Sequence, residues 1–350
     1  MKTKLWMLGA AVAALASCTQ SEVVEIPESR VIGFQSYVDN GTRTVHQVNK
    51  DNIRNFYVFG WRKVGDGTFN DLVLSNVHVS STNGTVWEYS PHAYWQTNST
   101  YRFAGYANGD IVNQGDDCGL ANDNVGYNAD NDVVTFTNYS VSDKDLIVAI
   151  SGDKEIGNTI GVPGTVDMSF RHMLSMVKFT FLNASGNSTL KIKNLKINNL
   201  DMNATGTFAY SNKKVVWEID QTRTGVCNIL SGESVLSVAA EQSNSVDCLV
   251  IPQNSYGTSV SFTAETYDNN GDLHESKNYT ANLTIPEVGE PGTKHTNWIN
   301  SFIYNYQITI GETLSSIVFN VTTVEPWLTD YDDDDNHEND NITITPSVSN

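Results

Sequence analysis

The sequence predicts an all-β protein, and three observations support this fold class. Residues that favour strands are abundant, with 15 Tyr, 13 Phe and 7 Trp in a chain of 350 residues. Short segments of alternating polar and apolar residues recur roughly every eight to fifteen residues, separated by Gly, Asn and Asp. No amphipathic helical pattern extends over about twelve residues. Because one β-sandwich takes about 100 residues, we expect two sandwiches in tandem.

A break in the strand pattern at Gly161-Val162-Pro163-Gly164 predicts the boundary between the two sandwiches. Before the first sandwich, a polar stretch with a single Pro predicts a tether. After the second sandwich, a run of aspartates predicts a linker. The expected divisions are a signal peptide at 1–17, a tether at 18–30, an N-terminal β-sandwich at 31–165, a C-terminal β-sandwich at 166–328, and an acidic linker with a further strand at 329–350.

Ten segments carry strand signals: 31–37, 56–62, 133–136, 145–150, 177–182, 190–197, 246–251, 260–267, 304–310 and 316–324. In the fifth of these, Val177 and Phe179 face one side and Lys178 and Thr180 face the other, as expected for a strand. The Asn- and Gly-containing stretch 268–272 predicts a hairpin loop between two strands.

The N-terminus predicts export. Lys2 and Lys4 form a basic region, and the apolar stretch 5–16 is too short to span a membrane. It ends in Leu15-Ala16-Ser17-Cys18, which resembles a bacterial lipobox, so we expect cleavage before Cys18 and acylation of that residue. An ordinary signal peptide that happens to end near a cysteine is the alternative. Several acyl chains anchor a protein stably to a bilayer.

Composition and motifs exclude several classes of function. A formal charge of −19 repels the phosphate backbone, so no nucleic-acid partner is expected. The sequence contains no HExxH, GxSxG, P-loop or dinucleotide-binding glycine motif. The seven histidines are scattered, and His172, at the start of a strong strand, is expected to be structural. The sequence therefore predicts a protein that is not an enzyme and that needs no cofactor.

No metal site is predicted either. The loop 108–132 is rich in Asn, Asp and Gly, but Asp123, Asp130 and Asp132 lack the spacing that a calcium-binding loop requires. We expect a solvated loop instead.

Three cysteines remain beyond Cys18. Cys227 and Cys248 could bridge two strands of the second half, which an oxidising export compartment would permit, or both could be buried free thiols. Cys118 lies in the polar loop with no expected partner.

Several phrases, taken together and in order, resemble the fimbrillin family of lipoprotein-derived pilus subunits from gut and oral anaerobic bacteria. They span roughly residues 18–327, and the segment that opens the second half is the most distinctive. The phrases are VIGFQSYVDNGTRT, NIRNFYVFGW, VWEYSPHAYWQTNSTYRFAGYA, DLIVAIS, DMSFRHMLSMVKFTFLN, LVIPQ and FIYNYQITIGETLSSIVFNVTTVEPW.

The resemblance implies two tandem transthyretin-like Greek-key sandwiches that assemble by strand exchange. In family stalk subunits a trypsin-like protease cuts after an Arg in the loop behind the first strand, which removes that strand and the lipid anchor. Transferred to this sequence, Arg43 is the candidate for cleavage and Arg30 the alternative. The displaced first strand would contain Val31, Ile32 and Phe34.

The resemblance also gives the C-terminal tail a function. A donor strand from one subunit fills the groove of the next, and Ile342, Ile344 and Val348 form the candidate donor strand. An ordinary frayed tail is the alternative, because the segment is short and Pro346 interrupts its hydrogen-bonding ladder.

The sequence thus predicts a structural subunit of a cell-surface fimbrium that contributes to adhesion, located at the outer membrane through Cys18 at least as a precursor. Its expected partners are other fimbrial subunits and the maturation protease. One alternative is an uncleaved anchor or accessory fimbrial lipoprotein. Another is a surface lipoprotein that binds glycan or host protein through an aromatic set, which we instead expect to lie in the core: Trp87, Tyr89, Tyr94 and Trp95.

Overall fold

The computed structural model describes residues 30–38, 53–109, 115–159, 164–285, 297–311, 313–315 and 317–326. Within these ranges the chain forms 21 β-strands, and a short 3-10 turn lies at Asn122–Asn124; no α-helix is present in the described residues. The predicted all-β class is confirmed, whereas the transthyretin-like Greek-key arrangement stays a prediction.

Ten strands precede residue 173: β1 (Phe34–Val38), β2 (Asn55–Val64), β3 (Asp71–Ser80), β4 (Glu88–Tyr89), β5 (Ser99–Asn108), β6 (Val125–Asn128), β7 (Val133–Ser140), β8 (Leu146–Ile150), β9 (Lys154–Ile156) and β10 (Val166–His172). Eleven follow: β11 (Ser175–Asn183), β12 (Thr189–Leu200), β13 (Asn203–Ala209), β14 (Lys214–Glu218), β15 (Gly225–Asn228), β16 (Leu236–Val238), β17 (Ser243–Val250), β18 (Ser259–Tyr267), β19 (Leu273–Asn282), β20 (Phe302–Ile310) and β21 (Ile317–Pro326). All ten segments with predicted strand signals overlap one of these strands.

The strands form four sheets. Sheet A has the order β1-β10-β8-β5-β2-β3-β4, with β9 also paired to β5. Sheet B is β17-β11-β20-β21, and sheet C is β15-β12-β18-β19 with β16 paired to β12. Sheet D is β14-β13-β7-β6. The pairs β1–β10 and β11–β20 are parallel, which sequence neighbours joined by tight turns could not be.

Strand pairing does not follow the expected boundary at residue 165. Strand β10 begins at Val166 but pairs with β1 and β8 of sheet A. The hairpin β13–β14 leaves the second half of the chain and pairs with β7 of the first half. By their hydrogen bonding, both segments therefore belong with the first half of the chain. The chain thus crosses between the two halves more than once.

Three apolar cores hold the sheets together. Sheets B and C enclose one of them, in which Phe179 of β11 and Ile192 of β12 are fully buried. The other two lie on opposite faces of sheet A: in β8, Ile147 belongs to one core and Val148 to the other. Alternation of side chains along a strand thus allows β8 to be buried on both faces.

Two local predictions have clear outcomes. The hairpin loop at 268–272 is confirmed, since it joins β18 to β19 and the N–H of Asp272 donates to the Asp268 carboxylate. The prediction of a solvated loop at 108–132 is wrong for several residues of this stretch. Cys118 is fully buried, and the largely buried Asp132 accepts a 2.6 Å hydrogen bond from the Tyr127 hydroxyl. Apolar residues interspersed among the Asn and Asp explain the error, because they anchor the loop in the cores.

Candidate functional site

The first described segment of the chain, residues 30–38, is hydrogen-bonded on both sides. On one side the N–H of Ile32 donates to the Ala93 carbonyl at 2.9 Å, and the N–H of Trp95 donates to the Arg30 carbonyl at 2.8 Å. On the other side β1 pairs in parallel with β10, starting at Phe34 opposite Val166. We call this segment, residues 30–38, the N-terminal segment.

Side chains of the N-terminal segment fill the core of sheet A. Ile32 is completely buried and Phe34 is 3% exposed. The Phe34 ring packs edge-on against Phe103, and also against Phe56 and Tyr89, at centroid distances of 5.6, 6.2 and 5.5 Å. We call the pocket formed by these three rings and the edge of β10 the first-strand groove.

One buried hydroxyl ties the groove to the backbone of the segment. Tyr89 donates a 2.8 Å hydrogen bond to the Ile32 carbonyl, and its oxygen accepts from the N–H of Ala93 at 3.2 Å. Burial raises the pKa of Tyr89, so its hydroxyl keeps the proton that it donates. The segment is therefore fixed by polar as well as apolar contacts.

Most of strand β10 depends on β1 for its partner. Five residue pairs join β10 to β1, from Phe34–Val166 to Val38–Phe170, whereas only Arg171 and His172 pair with β8. Without β1, the backbone groups of 166–170 would lose that row of hydrogen bonds. An edge strand with unpaired N–H and C=O groups is a template for another strand.

Some of the residues predicted for lipidation, cleavage and strand exchange lie in the described part of the chain, and others lie outside it. Ile32 and Phe34 lie in the first-strand groove, and Val31 forms an isolated bridge with Tyr94. Arg30 is exposed, although its carbonyl is hydrogen-bonded. Five candidates lie outside the described residues: Cys18, Arg43, Ile342, Ile344 and Val348.

The aromatic set weighed as a glycan platform lies in or against the core. Trp95 is 3% exposed, Tyr89 is 8% exposed, and Trp87 packs on Phe56 with 4.9 Å between ring centroids. Their preferred interpretation as core residues is confirmed for these three. Tyr94 is half-buried and lies next to the N-terminal segment.

His172 is buried at the corner between β10 and β11. Its Nδ1 lies 2.7 Å from Oδ2 of the buried Asp145, and its carbonyl accepts a hydrogen bond from the Ser301 hydroxyl. These contacts connect sheet A to the start of sheet B and fit the expected structural role.

The three described cysteines are free thiols. Cys227 of β15 and Cys248 of β17 are in contact across sheets C and B, and the hydrogen bond from Cys248 lowers the pKa of Cys227. Burial raises the pKa of Cys118 to about 12.

The described ranges contain no cluster of three or more His, Cys, Asp or Glu side chains suited to a metal. They also contain no helix with the length and apolar character needed to cross a bilayer.

Sequence reasoning missed how the groove is built. Phe56, Tyr89 and Phe103 lie in phrases that carry the family resemblance, but their convergence on Phe34 depends on sheet A folding around the N-terminal segment. The predicted division at residue 165 places β10 in the second sandwich, whereas it pairs with β1 and β8. The alternation of buried Val166, Met168 and Phe170 was a usable signal for that strand, though not for its partner.

Comparison with known proteins identifies the family. A model of the fimbrillin-like family matches residues 42–327, which is most of the chain, so this protein belongs to the fimbrillin-like family. This is a family of fimbrial and adhesion proteins and not a family of enzymes, and membership implies a location at the cell surface. A search of the curated proteins found no match.

Three solved structures illustrate the likeness. A fimbrial protein from Bacteroides vulgatus is 14% identical, with a TM-score of 0.52 over 85% of this chain and 99% of that chain. A proposed cell adhesion protein from Bacteroides ovatus is also 14% identical, with a TM-score of 0.49 over 86% and 99%. The fimbrial anchor protein Mfa2 from Porphyromonas gingivalis is 11% identical, with a TM-score of 0.30 over 85% and 98%. The first of these supports a shared all-β fold.

Proposed function

We propose that this protein is a structural subunit of a cell-surface fimbrium that assembles by exchange of its first strand. The observation that carries the proposal is the pairing of β1 with β10: the edge strand β1 fills a groove whose walls come entirely from later parts of the chain. In this proposal the chain is exported as a lipoprotein that is acylated on Cys18, and it contributes to adhesion as part of the polymer. Its partners are other fimbrial subunits.

Removal of the strand exposes the apolar groove and leaves the backbone of β10 unpaired, and both effects favour binding of a replacement strand. Fully burying a side chain such as Ile32 or Phe34 contributes about 1.5–3 kcal/mol, and an empty groove forfeits that contribution for both. The unpaired backbone of β10 adds a further penalty where it is sheltered from water. A strand from a second subunit satisfies both needs by β-augmentation.

The contacts of the N-terminal segment favour Arg43 over Arg30 as the cleavage site. A cut after Arg30 leaves Val31–Val38 attached to the body, so the groove stays filled. The Arg30 carbonyl and Val31 are also engaged with residues 94 and 95, which restricts entry into a protease cleft. A cut after Arg43 releases the whole of β1 together with the lipid anchor at Cys18.

The donor in this proposal is the C-terminal tail of a neighbouring subunit. The aspartate-rich stretch 332–340 provides an extended, self-repelling linker, and Ile342, Ile344 and Val348 provide apolar side chains for the groove. Because the donor and the groove are different surfaces, each contact leaves one of each free, and the assembly grows as a filament.

Limited trypsin treatment of the full chain tests the cleavage step. We expect the new N-terminus at Thr44, release of the protein from lipid, and polymers visible by electron microscopy. An Arg43→Ala variant should stay uncut and monomeric, whereas an Arg30→Ala control should behave like the parent. Polymerisation of intact, Cys18-anchored chains would overturn the cleavage step, and failure of the cut chain to polymerise would favour the uncleaved anchor or accessory role.

Deletion of residues 341–350 tests the donor role separately. The truncated chain should be cut normally and unfold like the parent monomer, but it should not polymerise with itself. Unchanged polymers from the truncated chain would refute the donor role and leave the groove to another partner.

A further inference from the structure

Two crossings between sheets C and D meet at one place. The chain passes from β12 in sheet C to β13 in sheet D through Asp201 and Met202, and it returns from β14 to β15 through residues 219–224. The two connections enclose a cavity of about 80 Å³ lined by Asp201, Asn203, Asp220 and Thr224, among others. The base of the β13–β14 hairpin thus borders this cavity.

Asp201 is the buried member of this cavity. It is 3% exposed, and its backbone is fixed by Gln253, whose side chain accepts from the Asp201 N–H at 2.9 Å and donates to the Asp201 carbonyl at 3.0 Å. Oδ1 accepts a 2.9 Å hydrogen bond from the N–H of Arg223. Oδ2 is buried and accepts no hydrogen bond from the described residues. A buried carboxylate oxygen without a partner is costly.

A second carboxylate lies against the first. The Asp220 side chain is within hydrogen-bonding reach of the Asp201 side chain, and its Oδ1 accepts 3.0 Å bonds from the N–H and the hydroxyl of Thr222. Among the described residues, neither carboxylate forms an ion pair with Lys or Arg.

Two carboxylates within hydrogen-bonding reach of each other repel unless a positive charge lies between them. A shared proton or a bound cation can supply it. The oxygen donors among the side chains that line the cavity are the two carboxylates, the Asn203 amide oxygen and the hydroxyls of Thr222 and Thr224. Hard oxygen ligands on irregular connections suit Ca²⁺, which accepts flexible geometry, better than Mg²⁺, which requires a near-ideal octahedron.

We propose that Asp201 and Asp220 bind a calcium ion that clamps the two crossings between sheets C and D. The ion neutralises the unpartnered Oδ2 of Asp201 and joins the start of the β13–β14 hairpin to its end. Since that hairpin pairs with β7, the ion also stabilises the connection between the two halves of the chain. The few protein charges and the exposed position of Asp220 predict the weak affinity of extracellular sites, about 10⁻⁴–10⁻³ M.

Calorimetric titration of the EDTA-treated full chain with CaCl₂, together with thermal unfolding at each calcium concentration, tests the site. We expect saturable binding of one Ca²⁺ and a rise in Tm with calcium, because a ligand that binds only the folded state stabilises it. Asp220→Asn, at an exposed position, should fold and bind calcium at least about ten-fold more weakly. Asp201→Asn should lose the binding while keeping an oxygen for the Arg223 N–H.

Asp123→Asn, at an exposed position in the 3-10 turn, is the matched control and should bind calcium like the parent. Absence of binding and of a Tm shift at about 10 mM calcium, far above the expected dissociation constant, would overturn the proposal in favour of a shared proton. Equal calcium responses from the parent, Asp201→Asn and Asp220→Asn chains would also overturn it, because the ion would then lie elsewhere.

Discussion

The ring of Phe34 packs edge-on against the ring of Phe103, with 5.6 Å between centroids and 85° between planes. The contact joins the first described strand to β5, which lies at the centre of sheet A. Edge-to-face geometry is favourable for aromatic rings and adds to the burial of both side chains. A strand at the edge of the sheet therefore holds a side chain at the middle of its core.

We expect Phe34→Ala to destabilise the intact chain by about 3–5 kcal/mol, because it removes a buried ring and leaves a cavity among three aromatic neighbours. Urea unfolding measures the change. Val64→Ala is the control, since Val64 is 62% exposed in β2, and it should change stability by less than about 0.5 kcal/mol. Equal effects of the two substitutions would contradict the burial of Phe34.

The buried contact between Asp145 and His172 gives a second prediction. Asp145→Ala removes the acceptor of a buried hydrogen bond and should destabilise the chain by about 1–3 kcal/mol. Chemical denaturation checks this value against Asp143→Ala, which changes an exposed aspartate two residues away. A loss in the Asp143 variant as large as in the Asp145 variant would show that the effect is not due to the His172 contact.

The thiols should differ in reactivity. Cys227 has a pKa lowered by the Cys248 thiol and is half-buried, whereas Cys118 is fully buried with its pKa raised to about 12. Since the thiolate is the nucleophile, iodoacetamide should alkylate Cys227 of the folded chain before Cys118. Peptide mass spectrometry reads the order, and the difference should vanish in denaturant. Faster labelling of Cys118 would contradict the assigned environments.

The hairpin loop between β18 and β19 predicts a pH-dependent effect. The N–H groups of Asp272 and Asn270 donate to Asp268 and lower its pKa. A carboxylate with a lowered native pKa stabilises the fold above its ordinary value of about 3.9, and this stabilisation is lost as the pH falls through the native pKa. Asp268→Ala should therefore lower the unfolding midpoint at neutral pH.

The difference between the Asp268→Ala chain and the parent should shrink as the pH falls below the ordinary value of about 3.9 and through the lowered native pKa. Asp66→Asn, at another exposed turn position, is the control and should follow the parent at both pH values. An Asp268 effect that is equally large in acid would indicate a loss of turn geometry rather than of charge.

Local features of the molecule were predictable from the sequence. Alternation placed Val177, Phe179 and Phe181 on one buried face, and turn chemistry placed the hairpin at 268–272. Ile32 and Phe34 were assigned to a strand of their own, and the family resemblance gave that strand a function. Each of these inferences depends on residues that are close together in the chain, whose period and turn preferences are local properties.

Contacts between distant residues were decided only by the tertiary structure. Strand periodicity indicates which face of a strand is buried but not which strand lies beside it, so the parallel partner of β1 and the attachment of β13 to β7 were not predictable. The same applies to side chains that meet across connections, such as Asp201 with Asp220. The sequence by itself determined an all-β chain with a distinct first strand. Long-range pairing made that strand the cover of an apolar groove, because only the folded sheet brings Phe56, Tyr89 and Phe103 together around Phe34.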